Sequence, residues 1–529
     1  MYTKLICKIQ EHSLYLQNTL YFIYTIILVI FFVYTLNKGM FWGDEAWHQL
    51  HLLDNIESAS VSQWYKVFGF LNFNDIVLNR HLIFFLNITS SIIFVFGCGQ
   101  FIGNKKKIDL ILIGVLTAII FKLPLQVSPC WDYYNIILTN IIGGLTFFSL
   151  SSTKKSYQNT IWTFIGFLLL TIPFIKITSS PLIFIVTGII YYKHKNDKSN
   201  YRSIFYITLG AITFVTILFA IHPFSYFINQ LKVSSLFIKY DTNHGVGEII
   251  KWCISTIKYF FFEIFPLSIL LWISFKYYKK YLYLYWITAA VIFAQFAFNI
   301  LEAPSSFFPI KVIYIIAGAL IIDRLYLKDF KTSIIIAFAM SIPILLTIGT
   351  DHSFASIASV FSSPLIAVVL IIQKNKRYFH FNFLTHQVFV TVIFILFYYN
   401  FNKNNLAGYN FAEQTVIANN SCGKYLYIDL KKYQKLRELE NIIPQGNHVI
   451  VSNPNLWGYV YLQNLKPLIL FFRYNQEAIN EYLSIKKNTI NSFYLISEKG
   501  EFSNEMRYEI DSFDIKRIET EHFIVYYYY

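Results

Sequence analysis

Long apolar runs recur along this chain, and nothing else in the sequence constrains its fold as strongly. A helix rises 1.5 Å per residue, so about 20 apolar residues carry it across the hydrocarbon core of a bilayer. Thirteen candidate crossings lie near residues 19–36, 82–102, 108–125, 136–151, 160–175, 177–192, 203–221, 259–275, 282–300, 312–322, 332–348, 358–373 and 384–400. The run 312–322 is the shortest, and the pair over 160–192 is joined by a few residues around Lys176. With 529 residues, 55% of them hydrophobic, and a mean hydropathy of +0.47, the chain is too apolar for one water-soluble core. The expected fold class is a polytopic α-helical membrane protein of about thirteen transmembrane helices.

Orientation follows from lysine and arginine, which are retained on the cytoplasmic side. Alternate connections, from residues 1–18 through "GNKKKID", "SSTKKS", "KHKNDKSNYR", "KYYKK", "DRLYLKDFK" and "KNKR", hold twenty Lys and Arg against five acids. The other connections before residue 400 hold ten, with a similar number of acids. The N-terminus is therefore expected in the cytoplasm. The formal charge of +14 needs no nucleic acid, because residues 401–529 hold 14 basic and 14 acidic side chains and the excess lies in loops facing anionic lipid. The first run lacks a small-residue cleavage site and reads as a retained anchor. Cys7, Cys98, Cys130, Cys253 and Cys422 show no paired spacing for a disulfide framework or metal knuckle. No internal repeat is visible, which weighs against many transporter architectures.

After residue 400 the composition changes. Apolar runs cease, "HVIVSN" and "SFYLIS" read as short strands, and "DLKKYQKLRELENIIP" reads as a helix ending at Pro444. Residues 1–400 are thus expected to form a membrane domain and 401–529 a small extracytoplasmic α/β domain, serving acceptor capture, assembly, or only as a stabilising cap.

Two loops on the expected outer face are long, 37–81 and 222–258. The first carries "MFWGDEAWHQL" at 40–50. As a helix over 43–54 lying in the interface, it sets Trp42, Ala46, Leu50 and Leu53 on one side and Asp44, His48 and His51 on another, with Glu45 about 100° from Asp44. Carboxylates partly desolvated beside Trp42 and Trp47 suit general-base work. Solvated loop acids are the plainer reading, and Asp44, His48 and His51 also have a spacing that a metal would accept.

An acidic pair just beyond the first span, in a protein of eleven to thirteen crossings with an outer C-terminal domain, resembles the GT-C superfamily of glycosyltransferases, such as protein O-mannosyltransferases and lipid A aminoarabinose transferases. "DEAWH" resembles their Asp-Glu followed by an aromatic or His. "NRHLIFFL" at 79–86 occupies the place of their His/Pro-rich second-span start, without the prolines, and "WDYYN" at 131–135 occupies the loop that commonly holds a second acid or a Tyr-Asn pair. The resemblance implies transfer of a sugar from a polyprenyl-phosphate donor to a hydroxyl of a glycan, lipid or protein acceptor, with Asp44 as catalytic residue.

Such chemistry needs a base, a cationic clamp for the departing phosphate and a place for the lipid. Asp44 is the candidate base with Glu45 its partner. Arg80, for its planar fork, and Lys176, for its position at a span end, are the candidate phosphate ligands. His48, His81, Asp132 and Tyr134 are candidate substrate contacts. No metal site and no definite cofactor are assigned, and a divalent cation is compatible with the chemistry. Asp351 with His352 and Glu302 form lesser polar knots. Other readings stay open: a lipid-linked oligosaccharide flippase without transferase activity, a glycan polymerase or ligase, and an assembly protein. The abundance of Ile, Lys, Asn, Phe and Tyr is associated with AT-rich genomes, and so with a bacterial plasma membrane.

Overall fold

The computed structural model describes residues 2–529 except 41, 43, 53–57, 59–63, 72, 104–105, 121–129, 152–156, 195–198, 241–245, 278–282, 285, 293, 295–308, 349–357, 359–360, 375–378, 402–412, 421, 472–474, 487 and 500–512. The chain is mostly helical, with a small sheet region at its C-terminal end. Among the described residues seven helical segments are long and apolar enough to cross a membrane: Leu16–Thr35, Ile76–Ile102, Asp132–Ser151, Gln158–Ile175, Tyr201–Ile221, Ile249–Lys276 and Phe330–Thr347. Ile177–Tyr192, Ser363–Gln373 and Leu384–Ile395 are apolar but shorter.

In chain order the main helices before residue 402 are α1 (Tyr2–Thr35), α2 (Asp44–His51), α3 (Trp64–Phe68), α4 (Ile76–Ile102), α5 (Lys107–Ile119), α6 (Trp131–Ser151), α7 (Gln158–Ile175), α8 (Pro181–His194), α9 (Ser199–Ile221), α10 (Phe224–Tyr240), α11 (Val246–Tyr259), α12 (Phe265–Lys276), α13 (Pro309–Tyr326), α14 (Phe330–Thr347), α15 (Ser363–Gln373) and α16 (Phe379–Phe401). Several differ from the apolar runs that announce them. The run 259–275 is the second part of one apolar helix that already begins at Ile249, so much of the expected loop 222–258 is α10 and α11. The run 312–322 is the middle of the longer α13, whose charged residues Lys311, Asp323 and Arg324 sit near its ends; long basic side chains there can keep their charge at a helix margin. The apolar run 108–125 is helical only to Ile119, with 121–125 outside the described residues, and most of 282–300 is described only in fragments.

Small residues let two helix pairs approach closely. In the α4–α6 pair, a Cβ on Gly97 would meet the Gly144 carbonyl oxygen at 2.0 Å. In the α7–α9 pair, a Cβ on Gly166 would meet the Ile207 oxygen at 1.9 Å, and one on Gly210 the Thr163 oxygen at 1.8 Å. α4 opens on Asp75, whose carboxylate accepts from the backbone N–H of Val77 and Leu78, and closes on Gly103 in the left-handed region at φ 91°.

The C-terminal region begins with a two-stranded antiparallel ribbon, β1 (Val416–Ile417) and β2 (Tyr427–Ile428). A five-stranded mixed sheet comes next, in the order β4-β3-β5-β7-β6: β3 (His448–Val451), β4 (Lys466–Pro467), β5 (Phe493–Glu498), β6 (Ile515–Glu519) and β7 (Phe523–Tyr528). β3 runs parallel to both β4 and β5, and β7 antiparallel to β5 and β6. The expected strands "HVIVSN" and "SFYLIS" are β3 and β5, side by side. The expected helix is α17 (Leu430–Glu440), capped by Asp429 and ending shortly before Pro444. α18 (Trp457–Leu462) comes after β3, and α19 (Gln476–Lys486) precedes β5.

Candidate functional site

A glycine turn at the end of α1 sets the direction in which the chain enters the first loop. Gly39, at φ 64°, adopts the left-handed conformation that glycine tolerates best, and its N–H donates to the Tyr427 carbonyl at 2.7 Å. The Tyr427 N–H in turn donates to the Asn37 carbonyl at 2.8 Å, and Lys38 Nζ lies 4.4 Å from the Tyr427 ring centroid while donating to the Gln414 carbonyl. The chain leaving the first long helix is therefore laced to the β1–β2 ribbon, far away in sequence.

From that turn the backbone enters α2, which begins at Asp44. An acid in a first helical turn faces the positive end of the helix dipole. The Asp44 backbone is the first residue of the helix, and its side chain lies outside the described part of the structure. Glu45, the next residue, is buried and forms a bidentate ion pair with the fully buried Arg80 of α4: Nε donates to Oε1 at 2.7 Å and Nη2 to Oε2 at 2.6 Å. Arg80 also donates to the carbonyls of Leu36 at 2.7 Å, Gly39 at 2.8 Å and Lys38 at 3.5 Å. One guanidinium thus joins α4, α2 and the end of α1. The neighbouring Asn79 amide donates to Gln49 Oε1 at 2.8 Å, a second strut between α4 and α2.

α2 is not an open interfacial helix. Trp42, Ala46, Trp47 and Leu50 are all buried, and α2 packs against α18. His51 is buried as well: its Nδ1 lies 2.8 Å from the Trp47 carbonyl and its Nε2 2.6 Å from Ser58 Oγ. A carbonyl only accepts, so Nδ1 carries the proton, and in the neutral ring Nε2 accepts from the serine. Burial lowers the His51 pKa to about 4 and pushes that of His48 well below its ordinary value, with His51 adding to the effect on His48. With both His51 nitrogens engaged, the set Asp44, His48 and His51 does not offer three free ligands. Among the described residues no three His, Cys, Asp or Glu side chains come together to hold a metal.

A second polar centre sits where α6 begins and α7 ends. Lys176 donates from Nζ to the Leu346 carbonyl at 2.7 Å; burial lowers its pKa, and the charge of Asp132 opposes that shift. Thr178 Oγ1 donates to the Ile348 carbonyl at 2.7 Å, so the segment after α7 is tied twice to the end of α14. Tyr134 is buried and stacks on Phe68 of α3, centroids 4.2 Å apart and planes 3° from parallel. His81, on the exposed side of α4, directs Nδ1 to the Val77 carbonyl at 2.7 Å.

The structure therefore joins Glu45 to Arg80 directly, while Asp132 acts on Lys176 through its charge alone. The first loop links the two centres, through His51 beside Tyr65 at 5.1 Å and Phe68 on Tyr134. Arg80, expected to hold a phosphate, holds the Glu45 carboxylate of its own chain. Asp351, His352 and Glu302 lie outside the described residues. Gly39, Gln49, Ser58, Asn79 and Gly458 are structural members of the site with little to mark them in the sequence; the polar pair "NR" at the head of an apolar run is the signal for the two struts from α4. On α6, Asn135, Thr139, Thr146 and Ser149 are all buried on one side of the helix, and their side-chain polar atoms bond no described group of the protein. No family model, curated protein or solved structure matches the chain.

Proposed function

We propose that the chain is an integral-membrane glycosyltransferase of GT-C type, crossing a bacterial plasma membrane thirteen times, with its N-terminus cytoplasmic and its C-terminal region outside. The observation that carries this reading is the buried Glu45–Arg80 pair. A short helix beginning at Asp44 is held rigidly beyond the first long helix, which is how a catalytic carboxylate must be held.

In this reading the acceptor hydroxyl gives its proton to Asp44 as its oxygen bonds to the anomeric carbon, and the anomeric C–O bond breaks with its electron pair leaving on the polyprenyl phosphate. Glu45 and Arg80 position α2. The phosphate role falls to Lys176, which uses one N–H on the Leu346 carbonyl and has two more, with Asp132 favouring its charged form. His48, His81 and Tyr134 stay assigned to the substrate side. The test is transfer of radiolabelled sugar from polyprenyl-phosphate donors by the intact protein and by Asp44→Asn at equal expression and folding. Transfer lost in the variant supports the reading, and undiminished transfer refutes it.

The buried polar side of α6 favours a second reading, the lipid-linked oligosaccharide flippase, because polar groups inside a membrane helix mark substrate paths. Transbilayer movement of a fluorescent lipid-linked sugar in proteoliposomes, unchanged in Asp44→Asn, would decide for it.

A further inference from the structure

At the end of α12 the sequence turns from apolar to basic. Lys276 stands in the last helical turn, where its charge meets the negative end of the helix dipole. Its ammonium lies 4.1 Å from the Tyr326 ring centroid, 5.0 Å from that of Trp272 and 5.6 Å from that of Tyr277, and the Trp272 and Tyr326 rings are 5.8 Å apart. Tyr326 closes α13, which packs along α12, so two helix ends share one cation. Lys276 is exposed, and ring faces hold an ammonium in place without giving its three N–H donors an oxygen acceptor.

Two residues beyond Tyr326, the turn into α14 presents Lys328. Its φ of 58° lies in the left-handed region, which glycine adopts freely and a residue with a side chain only at a cost. The turn is firmly built all the same: the N–H groups of Leu327, Lys328 and Asp329 donate to the carbonyls of Asp323, Leu325 and Arg324, and the Asp329 carboxylate accepts from the Thr332 N–H. Lys331 follows, its ammonium 4.6 Å from the Phe101 ring at the end of α4. Lys276, Lys328 and Lys331 are all exposed. The segment "KYYKK" from Lys276 holds no acid, and "DRLYLKDFK" holds only the buried Asp323 and Asp329, which pairs with Arg324 at 3.1 Å.

The surface around these cations is apolar: Tyr277, Leu325, Tyr326, Leu327 and Phe330 are each 41–59% accessible. Leu270, Ile273 and Tyr277 recur at spacings of three and four on one side of α12, the first and last of them exposed. Amphipathic rings and long basic side chains at helix ends mark the depth where a bilayer passes from hydrocarbon to headgroups. Lysines at that depth attract anionic lipid, and both connections belong to the set that carries the excess of Lys and Arg.

We propose that the ends of α12 and α13 hold an anionic phospholipid of the surrounding bilayer. Its phosphate sits against Lys276 and Lys328, and an acyl chain runs along Tyr277, Ile273 and Leu270. The site shares no residue with the Glu45–Arg80 or Asp132–Lys176 centres, and its failure would leave the reading of sugar transfer untouched.

The full-length protein, purified in detergent, is studied by native mass spectrometry after addition of phosphatidylglycerol or phosphatidylcholine with identical chains. Wild type is compared with Lys276→Gln/Lys328→Gln and with Lys276→Arg/Lys328→Arg, which keeps both charges. Each lysine near an anionic headgroup is worth about five-fold in affinity. The wild type and the arginine variant should therefore retain phosphatidylglycerol over phosphatidylcholine by about five-fold or more, and the glutamine variant should lose that preference. Phosphatidylglycerol with a diazirine in its acyl chain should label the wild type within residues 270–277, which keeps the test independent of how the variants fold. Equal retention of the two lipids, an unchanged preference in the glutamine variant, labelling elsewhere only, or full displacement by equimolar inorganic phosphate would overturn the proposal.

Discussion

Arg80 is fully buried with all five of its N–H donors directed at Glu45 and three chain carbonyls, and that decides the effect of substitutions around it. Removing one partner of a buried pair leaves the other charge uncompensated, at a cost of about 3–5 kcal/mol. Glu45→Ala and Arg80→Ala should each lower the thermal midpoint strongly, and the double variant should cost less than the sum of the two, since it leaves no lone charge. Asp44→Asn should leave the midpoint almost unchanged while abolishing transfer. Midpoints by size-exclusion thermostability check all four, and an additive double variant would show that the two side chains act separately. His51 gives a pH signature at the same scale. Its folded pKa of about 4 lies below the unfolded 6.5, so the unfolded chain binds the proton more readily and stability falls as pH drops. The contribution is complete above about pH 6.5 and is lost progressively toward about pH 4, to a limit of about 3 kcal/mol. Tryptophan-fluorescence melts across that pH range should show this loss, and His51→Gln should flatten it.

Among the elements, α18 packs against α2 and, through one glycine, against the ring of Trp42 just before α2. The Trp42 ring lies 4.5 Å from that of Tyr459, and a Cβ on Gly458 would come within 2.1 Å of Trp42 Cε3. Both Trp42 and Gly458 are buried, so neither has an easy way to move aside. Gly458→Ala should force α18 and Trp42 apart, costing about 1–3 kcal/mol, and should reduce transfer by shifting the chain that leads into α2 without touching a polar group. Parallel melts and transfer assays check this, and full activity with an unchanged midpoint would mean that the contact carries neither role. The same contact shows why the sequence is only partly legible. Apolar runs announce most of the long helices, because twenty apolar residues satisfy their own backbone hydrogen bonds and need no partner to be recognised. The strands "HVIVSN" and "SFYLIS" are legible from β-branched and aromatic runs. β6, whose "IKRIE" is largely polar, is not, because its place depends on pairing with β7. "GDEAWH" stands out in the sequence by its paired acids and its histidine, yet its covering by α18 depends on a glycine in the C-terminal region. A lone glycine in a sequence does not reveal what approaches it.

At the scale of the whole molecule, the C-terminal region works as a structural part of the first loop. Gly39 and Asn37 pair with Tyr427, the Asp75 carboxylate accepts from the Lys424 N–H at 3.1 Å, Ile76 donates to the Cys422 carbonyl at 3.0 Å, and Ser58 bridges to Leu470. The head of α4, the exit of α1 and the loop between them are thus each bonded to residues of the C-terminal region. Cutting the chain after Phe401 would strip these backbone partners, take α18 away from α2, and remove Tyr459 from the buried Trp42, whose burial is worth about 2 kcal/mol. That loss exceeds what an eight-residue helix can sustain alone, since so short a helix is marginal in water. The truncated protein should therefore still insert its long helices, as their hydrogen bonds are internal, while limited proteolysis cuts rapidly within residues 37–75. Sugar transfer should vanish with the protection. Co-expressing residues 402–529 as a separate chain should restore both, because the contacts are noncovalent and spread over three segments. A truncated protein that stayed protected and active would instead make the region an accessory module for acceptor capture, with α2 held by Glu45 and Arg80 alone.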